Sequence, residues 1–276
     1  MKLWSWILGC LMTLPACADE PGTTGTGGGG TGAGGTGAEG GGGSGGSGGN
    51  DWSCLGKLGA KTFSPGTAEG HLRVVELQED APMPDVLVKV CDASDASCAS
   101  PLASGTSDAM GLLTLDVTTA VQRYLELTGP NMLDVLSFNN GPPASDPFDE
   151  LVRVISPGTF TIVEALLEVS GDPTRGHAGL QANDCRGDIG VGVSFTIDSA
   201  DADTVFGYFD PNGAPMLGFD RTTSDGRAAV ANIPAGPAVL TATIAATGQV
   251  IGTRTFFVRP EAISYPACVE ADPEAQ

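Results

Sequence analysis

The chain has 276 residues and a net charge of −20, from 33 acidic and 13 basic residues. A surface this acidic repels phosphate backbones, so we expect no nucleic-acid partner. The first stretch of roughly fifty residues holds little core material, and the remainder suffices for one large or two small domains.

The N-terminus has the pattern of an export signal. Met1-Lys2 supplies one positive charge, and the run from Leu3 to Leu14 is almost wholly apolar. This run is too short to span a bilayer as a helix but fits the hydrophobic region of a signal peptide. A plain secreted protein and a buried signal-anchor helix are the alternatives.

A cysteine ends the apolar run. Leu14-Pro15-Ala16-Cys17 resembles a bacterial lipobox, although Pro15 replaces the small residue or valine usual at its position. The resemblance implies that residues 1–17 are a lipoprotein signal peptide and that Cys17 takes a diacylglyceryl group, which anchors the protein to a membrane. Ala18 stands where an aspartate would favour the inner membrane, so the resemblance implies the outer membrane or the cell surface. Ile7-Leu8-Gly9-Cys10 is a rival box with a shorter hydrophobic region.

Residues 18–51 are predicted to form a disordered tether. Gly22 to Asn50 is nearly all glycine, with Thr, Ala and Ser, and offers no large apolar side chain for burial. Nothing therefore offsets the entropy of ordering this segment. A flexible coil of this length has a root-mean-square span of about 30–35 Å, enough to lift a domain clear of lipid headgroups. Gly22 to Asn50 contains no proline, which argues against a collagen repeat.

From Trp52 onwards, short β-rich runs alternate with Gly, Pro, Asp and Asn. Several of them show the period-2 alternation of half-buried strands. The clearest runs are His71–Leu77, Val86–Cys91, Leu112–Val117, Tyr124–Thr128, Val191–Ile197, Ala228–Ala231, Ala238–Ile244 and Thr253–Val258. This pattern predicts a mainly β fold with two small β-sandwich domains, over residues 52–150 and 173–270, followed by an acidic tail over residues 271–276.

Similar turn motifs occur in both predicted modules. Thr106-Ser-Asp-Ala-Met-Gly111 precedes the strand at Leu112, and Thr223-Ser-Asp-Gly226 precedes the second-module strand that follows it. In each motif the aspartate can bond to its own backbone and the glycine can take positive φ, which predicts a hairpin. Asn232-Ile-Pro-Ala-Gly236 predicts a further turn in the second module.

This order of turns and strands resembles the carboxypeptidase-regulatory-like, transthyretin-type β-sandwich. The resemblance covers about Gly190 to Val258 and, less completely, His71 to Thr128. In the first module Thr118 to Arg123 takes the place of the P-x-G turn. The resemblance implies modules that accompany enzymes or receptors and do no chemistry themselves.

A short connecting helix is predicted within residues 151–172. Ser156 suits the N-cap and Pro157 the first helical position, and Ser170-Gly171 would end the helix. Its apolar stripe, which we expect to pack against one sandwich, consists of Phe160, Val163, Leu166 and Leu167.

Five of the seven cysteines follow the leader, in a setting that is oxidising if the chain is exported. An odd number leaves at least one thiol unpaired or paired between chains. Cys91 and Cys98 flank a loop short enough to close on itself, and Cys185 and Cys268 bracket the second module, so we predict these two disulfides. Cys54 is then left over, and its pairing with Cys91 or Cys98 remains an alternative.

Sequence motifs for catalysis are absent. His71 lies in a predicted strand and His177 in a predicted loop, and neither accompanies a recognisable Ser or Cys motif such as G-x-S-x-G. No G-x-x-x-x-G-K phosphate loop and no C-x-x-C zinc motif occurs. We therefore expect a non-enzymatic protein without catalytic residues, cofactor or metal.

Two acidic loops could supply oxygen ligands, one with Asp92 and Asp95 and the other with Asp198, Asp201 and Asp203. Neither has EF-hand spacing, so solvated turns are the favoured interpretation over a calcium site.

Aromatic residues could form a sugar-binding platform, with Phe209-Asp-Pro-Asn-Gly213 as a loop tip that presents its aromatic ring. The candidates are Trp52, Tyr208, Phe209 and Phe219. Packing in the core or in turns is the favoured interpretation. The sequence thus predicts a lipid-anchored surface protein with a structural, adhesive or protein-binding role and an unidentified protein or glycan partner. A carbohydrate-binding module is the first alternative and a secreted carboxylate-dependent hydrolase is the second.

Overall fold

A computed structural model describes residues 50–55, 65–138 and 146–266. The mainly β fold is confirmed, with fifteen strands and one helix in these ranges. The leader, Cys10, Cys17, most of the tether, Cys268 and the acidic tail lie outside them. The elements are β1 (Thr67–Glu76), β2 (Leu87–Asp92), β3 (Ala103–Thr106), β4 (Leu112–Thr118), β5 (Arg123–Thr128), β6 (Val135–Phe138), β7 (Phe148–Val154), α1 (Pro157–Leu166), β8 (Arg175–Gln181), β9 (Val193–Ile197), β10 (Val205–Phe209), β11 (Pro215–Met216), β12 (Arg227–Pro234), β13 (Gly236–Ile244), β14 (Val250–Val258) and β15 (Ile263–Pro266).

The strands form one large sheet and two small ones. The large sheet has nine strands in the order β11-β10-β12-β8-β15-β6-β5-β2-β3, and the small sheets have the orders β4-β1-β7 and β14-β13-β9. In β5, Leu125 and Leu127 belong to one apolar cluster, whereas Tyr124 belongs to the other. Successive side chains of a strand point to opposite faces, so both faces of the large sheet are covered there.

Each cluster joins one small sheet to one face of the large sheet. The first cluster lies between β4-β1-β7, helix α1 and the large sheet, and includes Val74 and Phe160. The second lies between β14-β13-β9 and the large sheet, and includes Leu240 and Phe256. The small sheets therefore pack on opposite faces of the nine-stranded sheet, which gives the protein its layered architecture.

Strand β15 unites the strands of the two predicted modules. It pairs in parallel with β6, where Ile263 lies opposite Val135, and in parallel with β8, where Ile263 lies opposite His177. Strands β2, β3, β5 and β6 come from the first predicted module, and β8, β10, β11 and β12 from the second. The modules thus share one continuous sheet.

The first turn motif adopts the expected local geometry, but neither motif forms a hairpin. Asp108 Oδ1 accepts hydrogen bonds from the backbone N–H groups of Met110 and Leu112, and Gly111 has φ of 73°. Strands β3 and β4 nevertheless lie in different sheets, and β11 and β12 are not neighbours. The hairpin prediction is wrong because local turn chemistry reverses the chain without specifying the strand that it will pair with.

The predicted turn over Asn232–Gly236 is also displaced. Asn232 to Pro234 continue β12, whose pairing with β8 shifts register between Val230 and Ile233. Asn232 has φ of 57° at this irregularity. The chain bends at Ala235, between the end of β12 at Pro234 and the start of β13 at Gly236.

The predicted helix is present and shorter than the segment 151–172. Ser156 Oγ accepts a hydrogen bond from the Thr159 backbone N–H at 3.1 Å, as expected for an N-cap. Phe160, Val163 and Leu167 are buried, but Leu166 is 40 % exposed and falls outside this stripe. In the described part of the chain, no helix is long and apolar enough to cross a membrane.

Candidate functional site

The segment that follows the Gly-rich tether is covalently joined to the second module. Cys54 forms a disulfide with Cys185, across a sequence separation of 131 residues and a Cα–Cα distance of 5.6 Å. The predicted Cys185–Cys268 bond is therefore wrong, because Cys185 is already bonded, and Cys268 lies outside the described residues. Pairing of Cys54 with Cys91 or Cys98 is excluded in the same way.

Three hydrogen bonds reinforce this attachment. Asn50 Nδ2 donates to the Val191 carbonyl at 2.5 Å, the Asp51 N–H donates to Asp184 Oδ2 at 2.8 Å, and the Cys185 N–H donates to the Asp51 carbonyl at 2.8 Å. We call residues 50–55 together with Asp184 and Cys185 the tether clamp. It holds the start of the folded body on the second module, although the chain then continues to β1 in the first.

The buried carboxylate of Asp184 organises the clamp. Its burial would raise its pKa, but backbone N–H groups of Asp51, Arg186 and Asp188 and the Arg186 guanidinium hold the pKa below its usual range. The charged form is thereby stabilised inside the fold by several charge-assisted hydrogen bonds. Sequence reasoning missed this role because nothing local relates Asp184 to a residue 133 positions earlier.

The predicted Cys91–Cys98 disulfide is confirmed. It closes a loop that is also held from outside, because Tyr124 Oη donates to the Asp95 carbonyl and Arg259 Nη2 donates to the Ala96 carbonyl. Among the described residues, the one cluster of three or more side chains arranged for metal ligation is Cys91, Cys98 and Glu126. Its two sulfurs are bonded to each other and are not thiolates.

The acidic loops are occupied by contacts within the chain. Asp92 Oδ1 accepts from the Ser94 N–H and hydroxyl, and these bonds lower the Asp92 pKa. Asp201 accepts from Arg175 at 2.9 Å, which lowers the pKa of Asp201 to about 2. Asp198 Oδ1 accepts from the Val239 N–H at 2.7 Å. Asp92 thus stabilises its own turn, whereas Asp198 and Asp201 link segments that are distant in the sequence. The preference for solvated turns over a calcium site stays a prediction.

The aromatic candidates do not form a shared platform. Tyr208 and Phe209 are buried, Trp52 is half-buried, and Phe219 is exposed. The loop after Phe209 is closed by Asp210, which accepts from the Ala214 N–H. The Phe209 ring packs in the first apolar cluster, so the favoured interpretation, packing in the core, is confirmed for Phe209 and the alternative of a presented ring is excluded.

The two histidines have opposite environments. His71 lies on β1, exposed, 2.8 Å from Glu69 and 3.4 Å from Asp149, and the hydrogen bond to Glu69 raises its pKa. His177 lies in β8, and the predicted loop is wrong at this position. The segment Arg175–Gln181 is rich in small and polar residues, so it lacks a strand signal.

His177 lines an apolar cavity beneath helix α1. The cavity has a volume of about 30 Å³, enough for one or two water molecules, and lies between α1 and the large sheet. Its apolar lining includes Leu77, Phe160, Val163, Phe209 and Ile263, and its polar side chains are His177, Arg227 and Tyr265. We call it the α1 cavity.

Burial controls the chemistry of His177. The side chain is 5 % exposed, and its Nδ1 atom is buried without a hydrogen-bond partner. The ring lies 4.3 Å from the Phe160 ring, centroid to centroid. Burial lowers the pKa of His177 to about 4, so the imidazole is neutral at neutral pH.

Comparisons with known proteins give only distant likenesses. No protein-family model matches the chain, and no curated protein is significantly similar to it. Among solved structures, the Bacillus anthracis TIE protein is 12 % identical with a TM-score of 0.25, covering 75 % of this chain and 34 % of that one. This chain thus spans about a third of that protein's length.

Pilins also align at this level. The shaft pilin SpaA from Lactobacillus rhamnosus GG is 14 % identical with a TM-score of 0.26, covering 73 % of this chain and 98 % of the pilin. The minor pilin GBS52 of Streptococcus agalactiae is 13 % identical with a TM-score of 0.22, covering 72 % and 93 %. At these TM-scores the likeness carries no conclusion about function, and the transthyretin-type resemblance remains a prediction.

Proposed function

We propose that this protein is a lipid-anchored, non-enzymatic surface protein with a structural or adhesive role. Its lipid is attached at Cys17, at the outer membrane or cell surface, and a Gly-rich tether carries the folded body. The lipobox-like Leu14–Cys17 and the composition of Gly22 to Asn50 support this location. A non-enzymatic role is supported by carboxylates and His71 that are occupied by contacts within the chain.

The observation that carries the proposal is the tether clamp. A flexible tether transmits any pull on the body to the first folded residues, and strands loaded at one end peel from a sheet one hydrogen bond at a time. Here that load passes from Cys54 into Cys185 through a covalent bond. Strand β1, which follows the clamp in sequence, is thereby spared the load. Such an attachment suits a body that is pulled by its tether.

Lipid attachment is tested by metabolic labelling with a palmitate analogue. We expect the wild type and a Cys10→Ser variant to be labelled and to fractionate with membranes, and a Cys17→Ser variant to be unlabelled. Cys10→Ser is the matched control because it removes the rival lipobox cysteine. Equal labelling of the Cys17→Ser variant would contradict the anchor.

The load-bearing role is tested by single-molecule pulling between the N-terminus and C-terminus of the chain. With the Cys54–Cys185 bond intact, the chain between the two cysteines, which are 131 positions apart, cannot extend. A Cys54→Ser/Cys185→Ser variant should therefore gain about 470 Å of contour length on full unfolding, at roughly 3.6 Å per residue.

The second disulfide provides the control. Cys91 and Cys98 lie inside the segment that the Cys54–Cys185 bond excludes from extension. A Cys91→Ser/Cys98→Ser variant should thus unfold with the wild-type contour length. Equal lengths for the wild type and the Cys54→Ser/Cys185→Ser variant would reject the clamp.

A further inference from the structure

The outward face of the small sheet β14-β13-β9 carries an ordered set of threonine side chains. We propose that this face binds ice, with the threonine hydroxyl and methyl groups in contact with the ordered water of the crystal surface. This inference goes beyond the proposed anchoring role, because it concerns the folded body whether or not the chain is lipidated. Its basis is the register of the three strands, the exposure of the face and its lack of charge.

Strand pairing places the hydroxyl side chains in rows. Thr241 of β13 lies directly opposite Thr196 of β9 and also opposite Thr253 of β14, so three threonines stand side by side on adjacent strands. Thr243, two residues further along β13, lies opposite Ser194 of β9. We call this surface the threonine face, and its members are Ser194, Thr196, Thr241, Thr243, Thr253 and Thr255.

The core determines which way these side chains point. Phe195 of β9, Ala242 of β13 and Phe256 of β14 adjoin the threonines in sequence and belong to the second apolar cluster. Successive side chains of a strand point to opposite faces, so the members of the threonine face point away from that cluster. Three of the six members are exposed and three are half-buried. The face is therefore accessible from solvent.

The threonine face has no charged member, although the chain has a net charge of −20. Arg254 lies within β14 but opposite Leu240, on the core side of the strand. Asp198 adjoins the end of β9, where its carboxylate accepts from the Val239 N–H at 2.7 Å. A charged side chain holds a water shell of its own and disturbs the order of a crystal surface, so a charge-free face suits ice.

The outward face of the other small sheet, β4-β1-β7, shows the contrast. Glu69 and His71 of β1 are exposed on it, with Asp116 of β4 opposite Glu69 and Asp149 of β7 opposite His71. Thr114 of β4 also lies opposite His71, so a threonine on that face stands among charges. The absence of charge is thus a property of the threonine face and not of every outward sheet face of this protein.

The spacing and rigidity of the hydroxyl groups suit a periodic partner. Alternate residues of a strand are about 6.8 Å apart and adjacent strands about 4.8 Å apart, so the side chains repeat in two directions. An ice surface presents water molecules at comparable repeats in two directions. The two heavy atoms on the threonine Cβ restrict χ1, so the hydroxyl and methyl positions are set before binding and little side-chain entropy is lost.

The threonine hydroxyls are also available to water. In the described part of the chain, none of the five threonine hydroxyls of this face has a hydrogen-bond partner, whereas Ser194 Oγ donates to the Thr243 carbonyl at 3.3 Å. Each of the five can therefore donate to one water molecule and accept from others.

Other occupants fit the threonine face less well. A second copy would bring two bodies of net charge −20 together, and these repel each other. A partner that is recognised through its charges finds no opposite charge on the face. A soluble glycan chain repeats in one direction only, whereas the hydroxyl groups repeat in two.

Ice-affinity partitioning of the purified chain tests the proposal. Ice that grows slowly from a solution excludes ordinary solutes and takes up proteins that bind its surface. We expect the wild type to be enriched in the ice and to slow the recrystallisation of ice grains. A Thr241→Lys variant should lose both properties, because it places a charge in the middle of the row of three threonines.

Thr114→Lys is the matched control, because it places the same charge at an exposed threonine of the other small sheet. It should be taken up by ice as the wild type is. Thr253→Lys, at an exposed position of β14, is a second variant in case Thr241→Lys folds poorly, and it should also lose uptake. Urea midpoints identify the variants that are folded.

Exclusion of the wild type from ice would overturn the proposal. Equal uptake of the wild type and of folded Thr241→Lys and Thr253→Lys variants would place the ice contact elsewhere on the protein and would also overturn it. Binding of the wild type to insoluble cellulose together with exclusion from ice would assign the face to a polysaccharide. Self-association that Thr253→Lys abolishes, again with exclusion from ice, would assign the face to a second copy.

Discussion

Acidification should destabilise this protein through His177. Folding lowers the pKa of this side chain from its ordinary 6.5 to about 4, because burial disfavours the imidazolium ion. Protonation therefore favours the unfolded chain. The stability is fully present above pH 6.5 and is lost as the pH falls towards 4.

The expected loss follows from the two pKa values. For one site with values of 6.5 and about 4, the free energy of unfolding should fall by about 2 kcal/mol at pH 5 and about 3 kcal/mol at pH 4. Asp201, whose pKa is about 2, loses its own contribution at lower pH than this window. Between pH 7.5 and 4.5 both histidines titrate, so the contribution of His177 is the difference between the wild type and a His177→Phe variant.

Urea unfolding at several pH values measures the effect. We expect the wild-type free energy of unfolding to decline across this interval and that of a His177→Phe variant to decline much less. His71→Phe is the control with the opposite sign, because a raised pKa gives stability that is present at low pH and lost as the pH rises. Parallel pH profiles for the wild type and the His177→Phe variant would refute the assignment.

Three further substitutions test the packing by urea unfolding at pH 7.5. Ser156→Ala should lower the free energy of unfolding by about 1 kcal/mol, because the α1 N-cap is lost. An unchanged urea midpoint would contradict the cap. Glu126→Gln should lower the free energy of unfolding by about 2 kcal/mol, because a buried carboxylate that pairs with two cations, one of them Arg259, loses its charge. An unchanged free energy of unfolding would show that the two ion pairs give no net stabilisation. Gly176→Ala should cost about 1–3 kcal/mol, because its Cβ would collide with the Arg259 carbonyl oxygen. Gly158→Ala, whose Cβ would have only the Ser156 hydroxyl at 4.0 Å nearby, is its control and should not destabilise the protein.

Periodic patterns predicted the longer strands and the helix, and failed for the short or atypical ones. β4 and β13 alternate clearly between buried and more exposed residues, and both were predicted. β6 and β15 have four residues each and are buried throughout, so no alternation is visible. Their role depends on the strands beside them rather than on their own residues.

Among the candidate sites too, the sequence predicted contacts between residues close in the chain but not contacts between distant ones. The Cys91–Cys98 bond could be predicted because its cysteines are only seven positions apart. The α1 cavity could not, because it combines α1, β8, β12 and β15, and His177 gave no strand signal. The partner of Cys185 was assigned wrongly because bracketing of a module in sequence says little about neighbours in space.

The amino-acid sequence by itself determined the local conformations of this protein. The N-cap at Ser156, the positive φ at Gly111 and the alternation of the longer strands follow from forces between residues near in the chain. Tertiary structure alone decided that Cys54 meets Cys185, that β15 joins the two sets of strands and that His177 is buried. These features depend on strand order, which results from the combined burial of many side chains that are distant in sequence. The residues of one short segment are therefore not enough to predict it.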